Sequence, residues 1–95
     1  MPRLACASHI LVKTEREAKS LIQQLKNGAN FAVLAKKNSL CPSKKKGGDL
    51  GEFAKGTMVK PFDQVVFAKG SEDKPFLGPV KTRFGFHVIQ VLYKS

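Results

Sequence analysis

The stretch Gly47-Gly48-Asp49-Leu50-Gly51-Glu52-Phe53, followed by Lys55-Gly56-Thr57-Met58-Val59-Lys60-Pro61-Phe62, most restricts how this chain can fold. Glycines and turn-formers at this density break regular structure and leave room only for a short strand near Leu50 to Phe53. The paired acids and the Met/Phe set in the same span point to a shaped apolar site beside an irregular loop.

Regular elements flank this stretch on both sides. Leu4 to Val12 mixes small, β-branched and apolar residues around His9 and reads as a largely buried strand. Thr14 stands three residues before Glu17, a capping-box spacing, and Ala18, Leu21, Ile22, Leu25 and Ala29 recur with helical period. Gly28 is placed to end that helix. Asn30 caps a second helix with Phe31, Leu34 and Ala35 on one face and Lys36, Lys37 and Asn38 toward water. Pro42, three lysines and the glycine pair leave Ser39 to Gly48 as irregular chain carrying Cys41. Pro61 suits the first turn of a short helix whose Phe62, Val65 and Val66 share a face, with Gly70 as its stop. After a polar connector, Leu77 to Thr82 and Phe84 to Tyr93 read as two strands around Arg83. The order is βααβαββ, and with no repeat or sharp composition shift, residues 1–95 form one α+β unit.

A chain of 95 residues supports one modest core. No run of about 18 apolar residues is present to span a bilayer, and Met1-Pro2-Arg3-Leu4-Ala5 lacks the charged-then-apolar build of a secretory signal. Two cysteines make no disulfide framework, so reduced thiols and a cytoplasmic, monomeric protein are expected. The net charge of +10, from 17 basic and 7 acidic residues, implies weak attraction to nucleic acid, ribosomes or anionic surfaces.

The reactive inventory is short: His9, His87, Cys6, Cys41 and a few hydroxyls. Both histidines fall within strands between aliphatic neighbours, so each is held rigidly, and alone each reads as a hydrogen-bonded core histidine. A Cys2His2 zinc site matches by count, but Cys6 and His9 are three apart on a strand and point to opposite faces. A Cys/His hydrolase is a weak alternative that stays open, because Cys41-Pro42 offers no nucleophile elbow or helix start. Lys44 to Gly48 lacks the Walker spacing and follows a helix rather than a strand. Met58 and Phe62, at i and i+4, are ordinary core spacing in a domain this small. No metal or cofactor is expected.

As an ordered set, His9-Ile10-Leu11-Val12-Lys13, Gly47 to Phe53, Met58 to Phe62 and Phe84-Gly85-Phe86-His87-Val88-Ile89 resemble the parvulin family of peptidyl-prolyl cis/trans isomerases, in the manner of a small free-standing bacterial parvulin. The resemblance covers nearly the whole chain. It implies a four-stranded antiparallel sheet wrapped by three to four helices, in agreement with the order read above. It further implies that His9 and His87 form the paired histidines of the family, that Cys41 fills its cysteine-or-aspartate position, and that Thr82 supports the hydrogen-bond network. Leu50, Met58 and Phe62 would line a proline pocket, with Phe84 at its edge.

The implied activity is isomerisation of X-Pro bonds in unfolded or flexible protein, without covalent chemistry and with a broad choice of X. Phosphate-directed parvulins carry a long basic loop after the first strand, whereas here Lys13 runs straight into Thr14, and Lys13 with Arg16 makes a poor phosphate clamp. The connector Lys69 to Phe76 is longer than in the shortest members. Two other classes compete: a binder of proline-containing segments with chaperone function, and a nucleic-acid or ribosome binder acting through the basic surface. The aromatics are not interleaved with lysines as stacking platforms would require.

Overall fold

The computed structural model describes residues 3–94. Met1, Pro2 and Ser95 lie outside the described residues, so the expectation drawn from the start of the N-terminal segment falls partly there. In chain order the elements are β1 (Leu4–Val12), α1 (Glu15–Lys26), α2 (Phe31–Asn38), β2 (Asp49–Ala54), α3 (Lys60–Val66), β3 (Leu77–Thr82) and β4 (Gly85–Lys94). Two 3₁₀ turns, Pro42–Lys46 and Ser71–Asp73, lie in the connections. The strands form one sheet in the order β2-β1-β4-β3, with every neighbouring pair antiparallel. Among the described residues no helix is long and apolar enough to cross a membrane.

The helix ends follow the local chemistry. Thr14 Oγ1 accepts the Glu17 N–H at 3.2 Å, and Asn30 Oδ1 accepts the Val33 N–H at 3.1 Å, so each first turn has one orphan donor satisfied. At the end of α1 the N–H groups of Gly28 and Ala29 return to the carbonyls of Leu25 and Gln24, the paired bonds that close a helix before a glycine.

Alternation along the strands sorts the core into two layers. Ile10, Val12 and Val88 meet Ala18, Leu21, Phe31, Leu34 and Ala35 of α1 and α2 on one face of the sheet. Ala5, Ala7, Ile89 and Val91 meet Phe62, Val66 and Phe67 on the other, where α3 lies. His9 and His87 continue this second set, two residues beyond Ala7 and two before Ile89.

Three expectations are corrected. Ser39 to Gly48 is not wholly irregular: Pro42, with its fixed φ and no N–H to satisfy, opens a 3₁₀ turn with Cys41 at its N-terminal boundary. α3 ends at Val66 with Phe67 as its boundary residue, four residues short of the glycine expected to stop it, and Gly70 instead starts the turn Ser71–Asp73; Val65 is only half-buried. Phe84 is not in β4: Thr82 pairs with Gly85, which leaves Arg83 and Phe84 as a two-residue hairpin loop.

Candidate active site

The centre of the site is a chain of side-chain hydrogen bonds on the α3 face of the sheet. His9, on β1, and His87, on β4, approach Nδ1 to Nδ1 at 2.9 Å with their rings stacked, centroids 5.1 Å apart. The strands bring them together because Leu11 pairs with His87 and His9 pairs with Ile89, two positions away along the same face. His87 Nε2 lies 2.8 Å from Thr82 Oγ1, on β3. Thr82 Oγ1 also accepts the Phe84 N–H at 3.2 Å.

The direction of these bonds depends on the histidine tautomers, and one polarity satisfies the Thr82 proton. In that polarity the Thr82 hydroxyl, which accepts from Phe84, donates its own proton to His87 Nε2. His87 then carries its proton on Nδ1 and donates to His9 Nδ1, leaving the His9 proton on Nε2, a buried atom with no partner among the described residues. The reverse polarity would strand the Thr82 proton as well.

Both histidines are almost fully buried, 5% and 3% exposed. Burial pushes both pKa values down to about 4, and for His9 the neighbouring His87 adds to the effect. The pair is therefore neutral at pH 7. The unfolded chain takes up protons near pH 6.5, whereas the folded chain resists them until about pH 4, so stability is fully present above 6.5 and falls as the pH drops through that window. The slope approaches about 1.4 kcal/mol per pH unit for each histidine protonated only on unfolding. Urea melts at pH 7, 6 and 5 check this, and a midpoint unchanged from pH 7 to pH 5 would contradict it.

Phe62, from α3, stands nearly perpendicular to both imidazoles, with centroids 5.6 Å from His9 and 5.4 Å from His87. Above these rings opens a cleft of about 430 Å³. All the residues singled out for the proline pocket line it: Leu50, Met58, Phe62 and Phe84, together with His9, Cys41 and His87. Thr82 is not in the lining and reaches the site only through His87. Cys6 lies elsewhere on β1, and among the described residues no cluster of His, Cys, Asp or Glu is arranged to hold a metal.

Sequence reasoning missed Leu11, Leu40 and Val59 in the wall, and Ser39 beneath it. Leu11 had a signal, since it is two residues from His9 and so shares its face. Ser39 had none. Its hydroxyl accepts the Leu11 N–H at 3.0 Å and the Cys41 N–H at 3.3 Å, while Leu40 N–H donates to the Leu11 carbonyl at 2.8 Å. These bonds fasten the Cys41 segment to β1 opposite the histidines.

The glycine pair fixes the other side of β1. The His9 N–H donates to the Gly48 carbonyl at 2.9 Å, and Gly48 has φ +87°, with a Cβ there falling 2.4 Å from the His9 carbonyl oxygen. Only glycine permits that approach.

Residues 2–95 match the family model described as the PPIC-type PPIase domain, a peptidyl-prolyl cis/trans isomerase domain. The chain belongs to this family. Among curated relatives of this parvulin domain, the foldase protein PrsA of Exiguobacterium sibiricum is 50% identical over 86 residues, covering 90% of this chain and 28% of the foldase. The chain spans about a third or less of the curated relatives it matches. Among solved structures, PrsA of Bacillus anthracis superposes with a TM-score of 0.90 at 38% identity, over 99% of this chain and 43% of that one. NmPin, the parvulin of Nitrosopumilus maritimus, superposes with a TM-score of 0.82 at 40% identity, and there the match covers 96% of this chain and 97% of the other. The four-stranded α+β fold is thus that of parvulins.

Proposed function

We propose that this parvulin domain accelerates cis/trans rotation about X-Pro bonds in unfolded or flexible protein segments. The observation that carries the proposal is the apolar cleft with a neutral, hydrogen-bonded histidine pair at its floor. Resonance gives the peptide C–N bond a rotation barrier of about 18–20 kcal/mol, and uncatalysed X-Pro exchange takes tens to hundreds of seconds. The twisted amide has lost that resonance and is less polar than the planar one, so a dry apolar site favours it. Leu50, Met58 and Phe62 hold the pyrrolidine ring while the preceding carbonyl swings past Cys41.

In this reading His9, His87 and Thr82 fix the electrostatics and shape of the floor. Cys41 acts as a polar neighbour of the rotating carbonyl and not as a nucleophile, since rotation breaks no bond. Cys41→Ala therefore retains measurable turnover, on the order of a tenth of wild type, and wild type forms no acyl adduct detectable by mass spectrometry. Complete loss of turnover together with a trapped Cys41 acyl adduct would refute this role.

The residue before proline is broadly chosen, with no phosphate requirement. Lys13 and Arg16 are exposed, and Arg16 borders a separate groove with Gln24 and Asn38 rather than the cleft. Two free, half-buried cysteines support a reduced, monomeric protein in the cytoplasm, which light scattering and thiol titration test. Nucleic-acid contact is accessory: Lys44, Lys45 and Lys46 are exposed, but Phe53, Phe62 and Phe67 are buried, and of the exposed aromatics Phe84 lines the proline cleft and Tyr93 donates to Glu52.

Exchange NMR on Ala-Xaa-Pro-Phe peptides at catalytic protein concentration decides the activity. Faster cis/trans exchange with Xaa leucine or lysine supports the isomerase. Line broadening without acceleration would leave a proline-segment binder instead.

A further inference from the structure

Within this broad choice of neighbouring residue, we infer that the site favours an anionic side chain adjoining the proline, through Lys60 and Arg83. The inference rests on the isomerase reading and extends it from the proline ring to its neighbour in the substrate. The proline cleft does not end at Val59. That residue is shared with a second groove of about 470 Å³, lined by Val59, Lys60, Pro61, Thr82 and Arg83. Consecutive Cα atoms are about 3.8 Å apart, so a residue adjoining a proline seated on Phe62 reaches a groove that begins at the cleft wall.

The groove's chemistry is cationic and uncompensated. Lys60 and Arg83 are both exposed, and among the described residues neither takes part in an ion pair. Among the described residues no aspartate or glutamate lines either the cleft or the groove. Asp63, in the same helix as Lys60, is committed to backbone: it is buried and accepts the Gly56 N–H at 2.8 Å. Arg83 is also held in place, its guanidinium carbon 5.0 Å from the centre of the Phe84 ring. Phe84 lines the cleft, so this contact sets a permanently charged guanidinium at the junction of the two cavities. Lys60 supplies a second cation from the start of α3. A carboxylate beside the proline meets both, and a phosphoryl group shares that chemistry.

The test compares exchange rates for glutamate against glutamine, placed before the proline in one peptide pair and after it in another. It uses the full chain at about 20 mM and 500 mM salt. At low salt the glutamate peptide of one pair is turned over about 3- to 10-fold faster in kcat/KM, and the advantage shrinks at high salt. In Lys60→Gln/Arg83→Gln, both exposed positions, the glutamate-to-glutamine ratio falls to about one. A phosphoserine arm shows whether carboxylate or phosphoryl is the preferred source of the charge. Wild-type ratios of one in both pairs at low salt, with the neutral peptides still accelerated, would overturn the inference and leave the isomerase standing. If no peptide is accelerated, the isomerase reading fails, and peptide Kd values from NMR titration decide the inference. Tighter glutamate binding that is lost in the double variant supports it, and equal affinities overturn it.

Discussion

Phe62→Ala is expected to lower the unfolding free energy by about 3–4 kcal/mol and to abolish measurable isomerisation. Phe62 is 2% exposed and lies in one cluster with Phe53, Val66, Phe67 and Ile89. Its ring also stands edge-on to both imidazoles and forms part of the cleft lining. Truncation therefore removes core volume and the pocket floor together. Phe62→Leu separates the two effects: it keeps most of the volume, costs about 1 kcal/mol, and still removes the flat surface facing the proline ring. Urea melts and exchange NMR on both variants provide the check. Near-normal turnover in Phe62→Ala would contradict the placement of the proline on this ring.

Gly48→Ala is expected to be about as damaging, by about 3 kcal/mol or more, although it adds a single methyl group. The new carbon would fall 2.4 Å from the His9 carbonyl oxygen and 3.1 Å from the Ala35 side chain, at φ +87°. Relief requires moving the turn off β1 or bending β1 at His9, and either shifts one of the paired imidazoles. Gly51→Ala is the control, because Gly51 has φ +71° but nothing within 4 Å of its added carbon. It carries the left-handed strain alone, about 1–2 kcal/mol. Comparable melts for the two variants would show that the contact with His9 is unimportant. A perturbed imidazole NMR signal in Gly48→Ala alone would confirm it.

Legibility in the sequence followed the range of the interaction responsible. β1, Leu4–Val12, and β3, Leu77–Thr82, have the bounds their patterns predict, and the caps at Thr14 and Asn30 form as spaced, because each depends on residues a few positions apart. α3 ends at Val66, short of the stop signal at Gly70, and Phe67 at its boundary packs on Phe53 with rings perpendicular at 6.0 Å, a contact that local sequence does not reveal. Phe84 was placed in a strand by its composition, whereas the Thr82–Gly85 pairing sets the hairpin loop. For the site, the residues were visible but not their joining. Taken alone, His9 and His87 each read as a core histidine; the resemblance implies their pairing, and strand register places their Nδ1 atoms 2.9 Å apart. Ser39, which ties Cys41 to β1, carried no pattern at all, since a hydroxyl used by two backbone N–H groups leaves no periodic trace.

The pairing of β1 with β4 at the middle of the sheet joins the first strand of the chain to the last. The two histidines are 78 residues apart in sequence, so nearly the whole domain must be looped closed before they meet. During synthesis on the ribosome α1, α2 and the glycine turn emerge before β4 does, and the turn reaches only the His9 half of the pair, through the Gly48 carbonyl. The histidine pair therefore forms only once β4 is available to pair with β1, and a chain cut anywhere before His87 lacks one of its two imidazoles.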